Sequence, residues 1–374
     1  MMLQPAIFLV SFLVSLFVAL ALILTQRFHG HLTEDNQPGV QKLHKAPTPR
    51  VGGLALLSGA LAGATLLSPE AWKLSWILAL SALPAFMFGL AEDITKRVGV
   101  RARLMATIGA GLIFCIASGY HLNHVGVPGL DILFAFPVFA ILFTAFAVGG
   151  SANAINLIDG VNGLAAGTSI IILTGFGVLA AESGDKTMLM ICLSFAGALG
   201  GFFVMNFPMG RIFLGDAGAY TTGFVLAAVA VVLPARNPEI SPLVGLLALS
   251  YPVTETLVSI LRRAAREGTN PGQPDRLHLH SLIYRSRARS LAARLGVPQL
   301  RNALSAFLVM TLPLLSTALM VLCASSPVLI FVSLGIVVAV YLGIYRKVAL
   351  LSASPLRRGG APRGLRAYAP RYRS

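Results

Sequence analysis

The chain has 374 residues, of which 56% are hydrophobic and only 11% charged, and it carries a formal net charge of +15. Soluble domains carry about 25% charged residues, so the composition excludes a water-soluble fold of this length. The basic excess points to nucleic acid only if the charges form a stripe, and their placement argues against that.

Apolar runs of about 20 residues, the length an α-helix needs to cross a bilayer, recur along the whole chain. Eleven are predicted, over 5–25, 51–67, 74–91, 104–119, 130–148, 163–181, 187–205, 213–233, 241–261, 303–323 and 326–345. They imply an all-α polytopic membrane helical bundle. Helices satisfy their own backbone hydrogen bonds in lipid, whereas a barrel needs short alternating strands. The first run has no basic residue before it and is too long for the apolar core of a cleaved signal, so it reads as a retained helix. Connectors that follow odd-numbered helices hold 26 of the 29 Lys and Arg, and the other side holds only Lys73, Lys186 and Arg236. This asymmetry predicts a periplasmic N-terminus and a cytoplasmic C-terminus. The basic charge is then a topology signal with some attraction for anionic membrane lipid, and no nucleic-acid partner is expected. Residues 1–350 read as one integral-membrane domain. Residues 351–374, rich in Arg, Pro and Gly, read as a disordered cytoplasmic tail. Cys115, Cys192 and Cys323 lie inside apolar runs at spacings that fit no zinc site.

Polar residues gather in five blocks, all on the basic side. They are "QKLHKAPTPRVGG" before helix two, "GLAEDITKRVGVRARL" after helix three, "AVGGSANAINLIDGVNGLAAG" after helix five, "GRIFLGDAGAY" after helix seven, and "LRRAAREGTNPGQPDRLHLHSLIYR" after helix nine. Any one of them has a plain structural reading. "VGG" and "DG" make turns, Glu92-Asp93 followed by Lys96 and Arg97 makes a solvated helix end, and two histidines do not establish a metal site. Asp216 is harder to set aside, because an acid at the start of an apolar run is costly. Glu255 lies deeper, and reads either as a structural partner or as a catalytic group. Taken together, Glu92, Asp93, Asp159 and Asp216 with the amides Asn153 and Asn156 are hard oxygen ligands suited to Mg²⁺ or Mn²⁺. Nearby basic residues and Gly-rich turns suit phosphate. The set points to metal-assisted phosphoryl transfer at a membrane face. The EF-hand spacing and the GxxxxGK[ST] loop are both missing.

In order and content, the five blocks resemble the polyprenyl-phosphate N-acetylhexosamine-1-phosphate transferases, glycosyltransferase family 4, over residues 5 to 345. That superfamily includes undecaprenyl-phosphate N-acetylglucosamine-1-phosphate transferases and phospho-N-acetylmuramoyl-pentapeptide transferases. The resemblance implies a Mg²⁺-dependent transfer of an N-acetylamino-sugar-1-phosphate from a UDP-sugar to polyprenyl phosphate, with release of UMP, in a bacterial inner membrane. It implies catalytic roles for Asp93, Glu92 and Asp159, with Asp93 the larger one, near the lipid phosphate. Asp216 and Asn156 are the implied metal ligands. Lys45, Asn153, Gly160, Asn162, Arg276, His278 and His280 are the implied substrate-binding residues, and a homodimer is compatible with the pattern. Glu92 stands where most members carry Asp, Asn162 where they often carry Asp, and Ser281 where many carry His. The "EDITKR" form of the acidic block and the lack of three consecutive histidines are similar to members that initiate O-antigen or exopolysaccharide rather than to the cell-wall enzyme. Two other readings are a secondary transporter, which would hold its polar groups near the midplane, and a catalytically dead relative that binds lipid or nucleotide.

Overall fold

Length and apolarity dictate the helices that form. The computed structural model describes residues 3–34, 48–127, 129–265 and 277–353, with side chains as far as Leu350. It opens with α1 (Leu3–Leu24), the short α2 (Gln26–Thr33), α3 (Gly52–Ala64), α4 (Pro69–Thr95) and α5 (Val100–Ser118). Next come a single turn α6 (Asp131–Phe134), α7 (Pro137–Ile158), α8 (Leu164–Glu182), α9 (Lys186–Asn206) and α10 (Gly215–Arg236). The remainder comprises α11 (Val244–Ala248), α12 (Ser250–Ala264), α13 (Leu279–Ile283), a π-helical turn (Tyr284–Ala288), α14 (Arg289–Arg294), α15 (Arg301–Cys323) and α16 (Pro327–Ala353).

Among the described residues, nine helices are long and apolar enough to cross a membrane. Every one of the eleven predicted runs contains helix, but two fall short of that length. The second run becomes α3, of 13 residues, and the ninth is broken into α11 and α12 around Leu249. The chain is an all-α polytopic membrane bundle. Helix ends follow local chemistry. Ser68 accepts a hydrogen bond from the Ala71 N–H and Pro69 opens α4, while Asp185 Oδ1 accepts from the Met188 N–H at 3.1 Å to start α9.

The core is built around α10, whose apolar stretch is buried on every side. A helix apolar all round belongs at the centre of a bundle, and α10 packs against α3, α4, α5, α7, α8 and α9. Two glycines permit close approach at its first turn. A Cβ on Gly53 would lie 2.6 Å from the Gly218 nitrogen, and one on Gly89 would lie 2.5 Å from the Ala217 nitrogen. α3 and α4 are thereby drawn against the start of α10. At its far end Arg236 binds Asp185 at 2.7 Å and Glu70 at 2.7 Å, and Asn237 donates to Asp185 at 3.2 Å. These bonds join the ends of α4, α9 and α10. The 22 residues of α10 span about 33 Å, so this network sits a membrane thickness away from Asp216. Cys115, Cys192 and Cys323 are unbridged.

Candidate active site

The site begins with a backbone splice. The stretch after Thr48 lies beside the segment preceding α10, with the Phe213 N–H donating to the Pro49 carbonyl, the Gly52 N–H to the Phe213 carbonyl and the Gly53 N–H to the Leu214 carbonyl, each at 2.9 Å. Gly215 follows in the left-handed region at φ 75°, and a Cβ there would lie 2.3 Å from the Arg50 carbonyl and 2.6 Å from Asp93 Oδ2. Only glycine fits. Asp93, fully buried in the last turn of α4, accepts from the Asp216 N–H through Oδ1 and from the Ala217 N–H through Oδ2, both at 3.0 Å. Two of the unpaired amides at the start of α10 are thus met by a carboxylate that arrives 123 residues earlier in the chain. The sequence suggests that Asp93 faces the lipid phosphate. Its position here is that of a cap, with both oxygens turned to backbone N–H groups.

The cap fixes Asp216, which is buried. Its Oδ1 accepts from Arg50 Nη2 at 3.2 Å and from Asn156 Nδ2 at 3.1 Å, and its Oδ2 accepts from Arg103 Nη1. Arg50 also approaches Asp93 Oδ1 at 3.7 Å, and Arg103 lies 4.0 Å from Glu92 Oε1. Glu92 Oε2 accepts from the Val98 N–H at 2.8 Å and so closes the turn after α4. Asp159 terminates α7 and is half-buried. Burial pushes it up to about 7, Arg50 pulls the other way, and the Asp216 and Asp93 charges add to the rise.

Two amides of the Asn-rich block turn elsewhere. Asn153 donates to Thr107 Oγ1 at 2.9 Å and to the Gly149 carbonyl at 2.8 Å, which joins α7 to α5. Asn162 donates from its side chain to the Pro208 carbonyl at 3.0 Å and from its backbone N–H to Asn302 Oδ1 at 2.6 Å. Both make tertiary joints in the walls behind the carboxylate cluster.

The histidine loop is hung on Glu255. This fully buried acid accepts from the Leu279 N–H at 3.2 Å and from the Tyr341 hydroxyl at 3.0 Å, and it meets His278 Nδ1 at 3.0 Å. Of the two readings open for Glu255, the structure gives the structural partner. The rings of His278 and His280 stack, with centroids 5.4 Å apart and planes 10° from parallel. Burial holds His280 down at about 4, with help from His278, so its ring is neutral at pH 7. His280 reaches the Asn-rich block through Gly160, where a Cβ would lie 2.4 Å from His280 Nε2. The close approach explains the glycine and joins the histidine loop to the carboxylate cluster.

Of the expected site residues, Asp93, Glu92, Asn156, Asp159 and Asp216 converge on one end of the bundle, and Gly160, His278 and His280 adjoin them. Lys45 and Arg276 lie outside the described residues. Arg50 and Arg103 are prominent members that sequence reasoning did not single out. Both stand inside quoted polar blocks, but nothing local marks them above the other basic residues there. For a divalent cation the donor chemistry fits. Asp216 keeps one of about four carboxylate acceptor positions, on Oδ2. Asn156 turns its amide oxygen away from Asp216, and Asp159 adds a further carboxylate. Among the described residues no group of three or more His, Cys, Asp or Glu is arranged as a metal cage. Mg²⁺ asks for only one or two protein carboxylates, because water and substrate phosphate complete its shell.

The family model described as glycosyl transferase family 4 matches residues 75–234. That span contains Asp93, Arg103, Asn156, Asp159, Gly160 and Asp216. The chain is 27% identical over 290 residues to a probable undecaprenyl-phosphate N-acetylglucosaminyl 1-phosphate transferase of Bacillus subtilis, covering 77% of this chain and 79% of the relative. It is 27% identical over 258 residues to an undecaprenyl-phosphate alpha-N-acetylglucosaminyl 1-phosphate transferase of Yersinia pestis, covering 67% and 69%. The protein of the same description from Escherichia coli K12 is 26% identical over 276 residues, covering 72% and 74%.

Proposed function

The chain belongs to glycosyl transferase family 4, among the polyprenyl-phosphate N-acetylhexosamine-1-phosphate transferases, and from this we propose that it transfers an N-acetylamino-sugar-1-phosphate from a UDP-sugar to undecaprenyl phosphate. The observation that carries the reading is the meeting of Arg50, Arg103, Asn156, Asp159 and Asp216 at one end of the bundle. One substrate is anchored in lipid by its chain and the other is a soluble pyrophosphate, so the reaction belongs at a membrane face. An oxygen lone pair of the lipid phosphate forms a bond to the β-phosphorus of the UDP-sugar. The bond from that phosphorus to the oxygen bridging the α- and β-phosphates breaks, and UMP leaves with the oxygen.

The residues divide this work. Asp216 and Asn156 would hold Mg²⁺ with Asp159 beside them, and the ion when bound offsets charge on the pyrophosphate. Arg50 and Arg103 fix the Asp216 carboxylate, and Arg103 has further N–H donors to offer phosphate oxygens. Asp93 is a positioning residue that acts through the start of α10. Asp159, half-buried, is assigned to orient the lipid phosphate. His280, neutral and packed on Gly160, is assigned with His278 to binding the nucleotide, a role the sequence also implies for Lys45 and Arg276. Asn153 and Asn162 support the wall that the nucleotide meets.

The eleven apolar runs are read as eleven crossings of a bacterial inner membrane, with a periplasmic N-terminus, a cytoplasmic C-terminus and the site on the cytoplasmic face. The count of 26 from 29 Lys and Arg in odd connectors supports this. Residues 1–350 form the transferase domain, with 351–374 as a basic tail. The names of the relatives favour UDP-N-acetylglucosamine as donor, and the "EDITKR" block favours initiation of a surface polysaccharide. A transporter would gather its polar groups at the midplane, whereas here they gather at helix ends.

The deciding assay supplies membranes containing the chain with radiolabelled UDP-N-acetylglucosamine and undecaprenyl phosphate. We expect label in the organic phase with one UMP released per lipid product. Absence of labelled lipid across a panel of UDP-N-acetylamino sugars would sink the reading. Gly160→Ala tests the junction with the histidine loop. Its methyl group must displace His280, so kcat is expected to fall at least roughly tenfold, since small misplacements of a site are costly. Unchanged steady-state kinetics would show that His280 has no part in turnover.

A further inference from the structure

A second basic pocket lies away from the carboxylate cluster, between α14, α15 and α16. It is an open groove of about 490 Å³, and Arg287, Arg294 and Lys347 line it together with Leu291, Leu308 and Ile344. The three cations are exposed, and none pairs with a carboxylate among the described residues. Their own part of the chain offers no such partner, because no Asp or Glu follows Asp275. The apolar wall belongs to the membrane body, with Leu308 lying about 10 Å along α15 from its first residue, Arg301. Positive charge at the rim and hydrocarbon behind it are the two things that a phospholipid headgroup with its acyl chain requires. The π-helical turn Tyr284–Ala288 carries Arg287, and such turns recur at functional sites.

We propose that this pocket is a seat for an anionic phospholipid, with the phosphate held by Arg287, Arg294 and Lys347 and the chain along Leu291, Leu308 and Ile344. Inorganic phosphate or a nucleotide would leave the apolar wall unused. The chain's own segment 354–374 contains Arg but no Asp or Glu, so its side chains offer these cations no acidic partner. A second copy of the same basic face would repel the first. The seat is independent of the transfer reaction, and its test reads binding alone.

The test uses the full chain purified in neutral detergent, with native mass spectrometry measuring retention of phosphatidylglycerol and of phosphatidylcholine with matching acyl chains. Phosphatidylglycerol is expected to bind at least tenfold more tightly. Each cation near an anionic lipid is worth roughly fivefold in affinity, so the triple variant Arg287→Gln, Arg294→Gln, Lys347→Gln should lose on the order of a hundredfold. Arg346→Gln, an exposed neighbour outside the pocket, should lose less than threefold. If the triple variant does not fold, Arg294→Gln alone should lose roughly fivefold. Equal retention of the two lipids, an undiminished preference in the variants, or an equal loss in Arg346→Gln would overturn the proposal. So would displacement of phosphatidylglycerol by undecaprenyl phosphate at equal concentration, which would make this a substrate site.

Discussion

Asp216→Asn is expected to lower Mg²⁺-dependent UMP release by at least roughly a thousandfold, which corresponds to about 4 kcal/mol of transition-state stabilisation. The change conserves shape and removes one charge. Asp216 accepts from Arg50, Arg103 and Asn156 at once. An amide nitrogen in place of either oxygen would point an N–H at a donor, and at least one of these bonds must break. The variant also loses the anionic oxygen that would meet the cation, so the expected signature is a lost response to Mg²⁺ together with a lower rate. Asp216→Ala should lose as much activity and more stability, because it leaves two guanidinium groups without their shared partner. A Mg²⁺ titration of steady-state UMP release, with a thermal melt as the control for folding, checks both. Wild-type turnover in a folded Asp216→Asn protein would remove Asp216 from the metal site.

Asp93→Asn should lower turnover at least roughly a hundredfold, whereas Glu92→Gln should change it less than about threefold. The difference follows from what each carboxylate does. Asp93 is fully buried and meets two N–H groups at the start of α10. Hydrogen bonds to a charged group are worth about 1.5–3 kcal/mol each. An Asn there keeps one acceptor and sets its NH₂ against the other amide, so the first turn of α10 must shift and carry Asp216 with it. Glu92 is partly exposed, and the Val98 N–H that it binds is equally well met by a Gln oxygen. The melting temperature should fall for Asp93→Asn and hold for Glu92→Gln. If both variants lose turnover equally while both melt like wild type, the capping account of Asp93 fails.

The helices were legible because a bilayer demands apolar runs of a certain length, and each run predicted from that demand contains helix. The short α3 and the break at Leu249 were not legible. Hydropathy reports burial from water, and neither the length of a helix nor a break within it changes how dry its residues are. The carboxylates were legible for a related reason: Asp216 at the head of an apolar run is costly unless something meets it. What meets it could not be read. Arg50 lies 166 positions before Asp216 and Arg103 lies 113 before it, and no local periodicity encodes an ion pair over such distances. The same limit hid the contact of Gly160 with His280. It also concealed that Asn153 and Asn162 hold neighbouring elements together, because an amide in a polar block looks alike whether it faces ligand or protein.

α10 is secured at both ends, by Asp93 at its first turn and by Asp185 and Glu70 through Arg236 at its last. It is held like a strut between two clamps, with its apolar stretch buried on every side. The carboxylate end of the site is therefore a fixed anvil, against which the substrates must fit. A change that loosens the clamp at Arg236 would be felt as blunted geometry at Asp216, a membrane thickness away and without a residue of the site being touched.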